Sequence, residues 1–233
     1  MKYFGNGLSE RHKELNAVIR KPDKVEMAKQ LFLDLHAKLH LSTISNTKQN
    51  EVDLLLNDLA PREYGIMPTS KDETIAWVLW HVARIEDLTM NILVAGRVQL
   101  FNDDLKKQLN SPISDTGNAL SDDEIMDLSR RLNIDKLIAY RNAVGERTRD
   151  IVKALSVDDM KRKVSAQGLE AIKQAGGVTE QEDSLYLLDF WSKKDVAGLL
   201  LMPPTRHVIL HLNDCSKWKR HIRESKKCFR QVS

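Results

Sequence analysis

Apolar residues recur along the chain at steps of three and four, and no run alternates at period two, so the pattern predicts helices throughout. From Pro22, suited to a first helical turn, to Leu41, the residues Val25, Ala28, Phe32, Leu35 and Leu39 share one face. A short helix is predicted over NEVDLLLNDL, residues 50–59. The second long helix is TIAWVLWHVARIEDLTMNILVAG, residues 74–96. Ser70 and Glu73 ahead of it have the S-x-x-E spacing of a capping box, which marks its start, and Gly96 is its natural stop. Residues 102–134 read as a long connection holding the turn-rich SDTGN and a second box, Ser121 to Glu124, that opens a short helix. A third long helix spans about Asp135 to Leu155, and short helical pieces follow. The last long helix runs from near Pro204 to Glu224. Four long helices with one long connection predict an all-α protein, a four-helix bundle with a long crossover and extra short helices.

The helical wheel, at about 100° per residue, sorts the polar residues of these helices. On the second helix, Arg84, Asp87 and Asn91 form a narrow stripe opposite the apolar face, which predicts that Arg84 and Asp87 point outward. His81 and Glu86 fall on the two flanks of the apolar face. On the last helix His207, Val208, His211, Cys215, Trp218 and Ile222 face inward, with Asp214 at the edge. The H-x-x-x-H spacing of His207 and His211 stacks two imidazoles one turn apart, the way one helix offers two nitrogens to one metal ion. His36 and His40 repeat that spacing on the first helix, with His36 nearer its apolar face. A lone inward histidine is more often a core residue bonded to a carbonyl, and this is the simpler reading of His36. His81, His207 and His211 together suggest a shared polar or metal site. Glu86 and Asp214 are candidates to orient those rings or to act as bases, since a ligating imidazole usually donates its other N–H to an oxygen. Their plainer alternative is an ion pair, for example with Arg206. Cys215 reads first as a small core residue and second as a soft ligand. Trp77, Trp80, Trp191 and Trp218 read as core or pocket lining.

Length and charge narrow the picture further. The 233 residues suit one domain, taken as residues 1–225, with residues 226–233 as a basic, disordered tail. The net charge of +3 comes from the cluster Lys217, Lys219, Arg220, Arg223, Lys226, Lys227 and Arg230. A basic tail of this kind is commonly just solvated, so no nucleic-acid partner is expected. No stretch approaches the ~20 apolar residues of a membrane span, and none has signal-peptide character, so a cytoplasmic protein without membrane contact is expected. Cys215 and Cys228 sit in one stretch where a disulfide would staple little, which fits a reducing compartment.

The run IAWVLWHVARIED, after a helix carrying HAKLH and before LLLMPPTRHVILHLND, resembles the DinB-like (DinB/YfiT) superfamily over residues 20–225. The resemblance implies a four-helix bundle with a long crossover and a metal held by three histidines, one on the second helix and an H-x-x-x-H pair on the last. His81 matches the first position. The pair falls on His207 and His211 in one register and on Cys215 and Lys219 in the other, and the H-H-x-G-Q string of typical members is missing. Taken in the first register, the family implies His81, His207 and His211 as ligands of zinc or nickel, to which the reading of the helix faces adds His36 and Cys215 as cofactor contacts and Glu86 or Asp214 as catalytic carboxylates. It further implies a metal-dependent enzyme of thiol-transferase or hydrolase type, using a small-molecule substrate and a low-molecular-weight thiol, and a homodimer. The alternative is a non-enzymatic, dimeric, stress-related or ligand-binding protein whose metal site has lapsed.

Overall fold

The computed structural model describes residues 4–224 and 227–232. Its helices are α1 (Leu8–Val18), α2 (Val25–Ala37), α3 (Glu51–Leu56), α4 (Ile75–Asp87), α5 (Asp103–Leu109), α6 (Asp122–Arg131), α7 (Ile134–Ala154), α8 (Ala166–Gln174), α9 (Glu182–Ser192), α10 (Val196–Leu200) and α11 (Val208–Glu224). A π-helical turn, Leu88–Val94, prolongs α4, and another, Met202–His207, joins α10 to α11 into one long rod. The bundle is α2, α4, α7 and the α10–α11 rod. Helix α4 packs against both α7 and α11, and α2 packs against α7. Every residue of α4 is buried, with Trp80 and Leu79 inaccessible to solvent among Phe32, Trp191 and Val144 in the same core. The fold is the all-α bundle that the sequence pattern predicts.

Local chemistry sets the ends of the helices, with some differences from expectation. The Ser121–Glu124 box forms as read and caps α6. The Ser70–Glu73 box does not: Thr74 caps α4, its hydroxyl accepting the Trp77 N–H at 3.0 Å and meeting the Ser129 hydroxyl at 2.6 Å. Thr69 donates to Asp72 at 2.6 Å and folds the preceding residues into a turn instead. Gly96 follows the extension of α4 as expected, at φ +62°, a conformation that favours glycine. Helix α1 has no counterpart in the sequence reading, because only Leu8, Leu15 and Val18 of its charged stretch are buried. It packs along α2.

The C-terminal segment also departs from expectation. Arg230–Gln231 (β2) pairs antiparallel with Ile66–Met67 (β1), and Phe229 donates its N–H to the Pro68 carbonyl at 3.0 Å. Arg230 meets Asp122 and Asp123 of α6, and Val232 lies against Gly65, where a Cβ would collide with it. Residues 227–232 are therefore anchored by charge and by a fitted apolar contact. Lys226 and Ser233 of the expected tail lie outside the described residues. No helix among the described residues is long and apolar enough to cross a membrane.

The polar stripe of α4 is buried, which corrects the outward placement of Arg84 and Asp87. Both are fully shielded from solvent. Asp87 accepts from the Leu100 N–H at 2.8 Å, the Phe101 N–H at 2.9 Å, the Asn91 amide at 2.7 Å and the Tyr140 hydroxyl at 2.6 Å. Arg84 donates to the Ser114 carbonyl at 2.9 Å and to Gln99 at 2.9 Å, and its guanidinium lies 4.2 Å from the centre of the Phe101 ring. The start of the crossover wraps over this face, so the charges pair with the connection rather than with water. Buried charges of this kind are costly to desolvate, and removing one partner leaves the other uncompensated.

Candidate metal centres

Three tryptophan and histidine side chains of α4 organise the wall of the first centre. Trp80 Nε1 donates to the Asp115 carbonyl at 3.0 Å, His81 Nδ1 to the Thr116 carbonyl at 2.8 Å and Trp77 Nε1 to the Gly117 carbonyl at 3.0 Å. Three consecutive carbonyls of the crossover are thus held by one helix. The turn needs Gly117, whose φ is +73° and whose missing Cβ would stand 3.0 Å from Trp77 Nε1. The Trp77 ring stacks on His81, with centroids 4.5 Å apart and planes 11° from parallel.

A carbonyl only accepts, so His81 carries its proton on Nδ1, and Nε2 presents a bare lone pair to the bundle interior. Facing it at 3.2 Å is His207 Nε2, and His211 Nε2 lies 3.0 Å from that same atom. One N–H on His207 can point along only one of these two lines. A cation satisfies all three nitrogens at once. Ligands of one tetrahedral ion with bonds of about 2.0–2.1 Å stand about 3.3 Å apart, within a few tenths of an ångström of both spacings. Burial lowers the His81 and His211 pKa values from 6.5 to about 3 and about 4, and holds His207 well below its ordinary value. At neutral pH the rings are uncharged, the form that binds metal. His81 is buried, whereas His207 and His211 keep some exposure and leave one side of the group accessible.

The position of His207 depends on the prolines before it. Pro203 and Pro204 offer no N–H, so the turn widens to the π form and leaves carbonyls without helical partners. The Thr205 hydroxyl takes the Leu200 carbonyl at 2.7 Å, and His12 of α1 reaches the Leu201 carbonyl, also at 2.7 Å. His207 is the last residue of that widened turn.

The second group lies between α4 and the end of α2. His36 Nε2 meets Glu86 Oε1 at 2.9 Å, and His40 Nε2 meets Glu86 Oε2 at 3.1 Å. Their exposures are 0%, 0% and 1%. Burial pushes Glu86 up, but the two imidazoles and their hydrogen bonds outweigh it and hold the carboxyl well below its usual range. Burial first, and the nearby Arg141 guanidinium second, lower His40 to about 3. A neutral His40 ring donating its Nε2–H to an ionised Glu86 satisfies both directions. In each of the two groups the three ligand atoms lie within 4.8 Å of one another, so either could hold a metal ion.

This geometry brings together His81, His207 and His211 from the sequence reading and separates the others. Glu86 stands five residues beyond His81, about 140° around the helix, and serves His36 and His40 instead of orienting the triad. His40, missed on the wheel because α2 ends at Ala37 and the chain turns, is buried beside Gly145, where a Cβ would reach within 2.6 Å of its Nδ1. The repeated H-x-x-x-H spacing was its sequence signal. Asp214 is partly exposed and pairs with Lys217 at 2.7 Å, and its charge raises the His211 pKa against burial. Cys215 is a buried free thiol pushed up by burial, and it belongs to neither group. Arg206 meets Ser9 at 3.4 Å rather than either carboxylate.

A family model described as the DinB superfamily matches residues 46–183, more than half of the chain. The chain belongs to the DinB superfamily. Within this DinB-superfamily protein the match contains His81, Glu86 and the crossover that carries Thr116, and it stops short of His207 and His211. No curated protein matches the sequence.

Proposed function

We propose that this DinB-superfamily protein is a metal-dependent enzyme of thiol-transferase or hydrolase type, with His81, His207 and His211 as the ligands of zinc or nickel. The observation that carries the reading is the convergence of three Nε2 atoms, one of them a lone pair fixed by the Thr116 carbonyl. Three imidazoles leave further coordination positions, and an ion there would supply Lewis acidity that eases deprotonation of water or a small thiol near neutral pH. The residues of the chain do the rest. Trp77 and the Asp115–Gly117 carbonyls hold His81 in one orientation, and the stacked Trp77 ring keeps water from its flank. Asp214, one turn past His211, is the carboxylate proposed to take a proton at the rim. The thiol co-substrate rests on the resemblance of the helix sequences to relatives of that chemistry. Homodimerisation and a cytoplasmic setting belong to the same proposal, and light scattering after size exclusion checks the first.

Elemental analysis of tag-free protein, purified without chelator, beside His81→Ala and His211→Ala tests the ligand set. Near-stoichiometric metal lost in both variants supports it, followed by thiol-transfer and ester-hydrolysis assays in which Asp214→Asn lowers turnover at unchanged metal content. Protein that holds no metal after incubation with Zn²⁺ and Ni²⁺ refutes the enzyme and favours a ligand-binding bundle.

A further inference from the structure

We propose that His36, His40 and Glu86 form a second divalent-metal site, independent of the triad, closed to solvent and structural in type. The donor set is two imidazoles and one carboxylate, a combination suited to zinc and to other first-row divalent ions. Its Nε2–oxygen distances of 2.9 and 3.1 Å are a few tenths of an ångström under the about 3.3 Å expected across one tetrahedral ion, so little expansion admits one.

The outer nitrogens set the cost of this assignment. His36 Nδ1 and His40 Nδ1 are buried and have no hydrogen-bond partner among the described residues. Only the bonds to Glu86 therefore hold the rings with their protons on Nε2, and an ion seated between Nε2 and the carboxylate replaces those bonds. Moving the proton to Nδ1 frees the Nε2 lone pair for an ion and leaves a buried Nδ1–H without an acceptor on each ring, a cost that coordination must exceed. The His81 ring, held by a carbonyl, shows what a locked tautomer looks like.

Arg141 is the charge that opposes a cation here. It is buried, and its guanidinium donates to the Leu39 carbonyl rather than to Glu86, which leaves both carboxylate oxygens to the imidazoles. Its positive charge makes the closed site the weaker of the two, so the triad fills first. All three donors are shielded from bulk solvent, so the fourth position of a tetrahedral ion falls to a single trapped water rather than to a substrate, and the site stabilises the junction of α2 with α4 rather than performing chemistry.

Metal stoichiometry separates the two centres. Full-length protein is expressed in zinc-supplemented medium, dialysed and analysed for zinc, beside a His81→Ala/His211→Ala protein and that protein with Glu86→Gln added. Two equivalents, one equivalent and none are expected in that order. The triad-less protein is further expected to melt several degrees higher with zinc than after chelation, a shift absent when Glu86→Gln is added. His36→Gln replaces Glu86→Gln if the latter does not fold. One equivalent in the parent and none in the triad-less protein overturns the second site and leaves the triad intact. One equivalent in both the parent and the triad-less protein, lost with Glu86→Gln, upholds the second site and refutes the triad.

Discussion

The two histidine clusters are built from the same side chain at the same one-turn spacing, yet His81 is held at its outer nitrogen as His36 and His40 are not, while His207 Nδ1 shares their lack of a partner. In the triad the outer nitrogen of His81 is fixed by the Thr116 carbonyl, and His207 and His211 remain partly accessible. In the His36–His40 group the inner nitrogens are satisfied by Glu86 and the outer ones are bare. The comparison teaches that H-x-x-x-H spacing brings imidazoles together but does not decide what they do. That is set by the oxygen atoms which other elements bring to each ring.

The comparison breaks first at His207, the ring that touches both of its neighbours. His207→Ala is expected to lose the triad's whole equivalent of zinc while keeping any held at Glu86, as read by elemental analysis after desalting. Unchanged zinc content would mean that the three rings do not act as one site.

Removal of the carboxylate that joins His36 and His40 is expected to be the largest change in stability. Glu86→Leu leaves two imidazole N–H groups without their acceptor and the buried Arg141 charge without its nearby counter-charge, a loss of about 3–5 kcal/mol by analogy with broken buried pairs. Urea unfolding of the metal-free protein measures it, and a midpoint equal to the parent's would show that Glu86 is not the charge on which the cluster depends.

Acid should reach both clusters. His40, His81 and His211 titrate at about 3, 3 and 4 in the folded chain against 6.5 for an ordinary histidine. Between those values the unfolded chain binds more protons, so stability rises with pH and is lost as pH falls from 6.5 toward 4. Urea midpoints of the metal-free protein across that window are expected to decline steadily, and a His81→Gln/His40→Gln variant to decline less. A flat parental profile contradicts neutral buried rings.

A smaller effect is expected at the wall of the triad. Trp77→Phe removes the bond to the Gly117 carbonyl and loosens the turn that orients His81, for about 1 kcal/mol of stability and about tenfold weaker zinc binding in a chelator competition. The smallest is at Asp214, whose partner is the exposed Lys217. Asp214→Asn is expected to change unfolding free energy by less than about 1 kcal/mol and to leave zinc content unaltered. A loss of metal there would make Asp214 part of the triad's support.

The helical period made the bundle legible, because the buried faces of α2, α4, α7 and α11 are wide and regular. Helix α1 escaped because three apolar residues in a charged stretch give no clear face. The cluster of His81, His207 and His211 was legible because these residues lie on faces that the wheel places inward. Asp87 and Arg84 were misread for a physical reason: a wheel shows which residues share a side but not whether a distant segment covers it. The residues that complete the polar network, Leu100, Phe101 and Tyr140, are 13 to 53 positions away. Glu86 illustrates the same limit. It lies on the flank of α4, while its partners lie near the end of α2 and just past it, 50 and 46 residues earlier.

The widened turn at Pro203 and Pro204 makes the triad sensitive to counting as well as to composition. Each residue added to or removed from a helical rod turns everything beyond it by about 100° relative to what precedes it. Deleting one residue from that turn would restore an ordinary helical pitch and swing His207 and His211 together away from His81, with all three histidines still in the sequence. A lineage could retire the triad by such a one-codon slip, and a later insertion could bring it back.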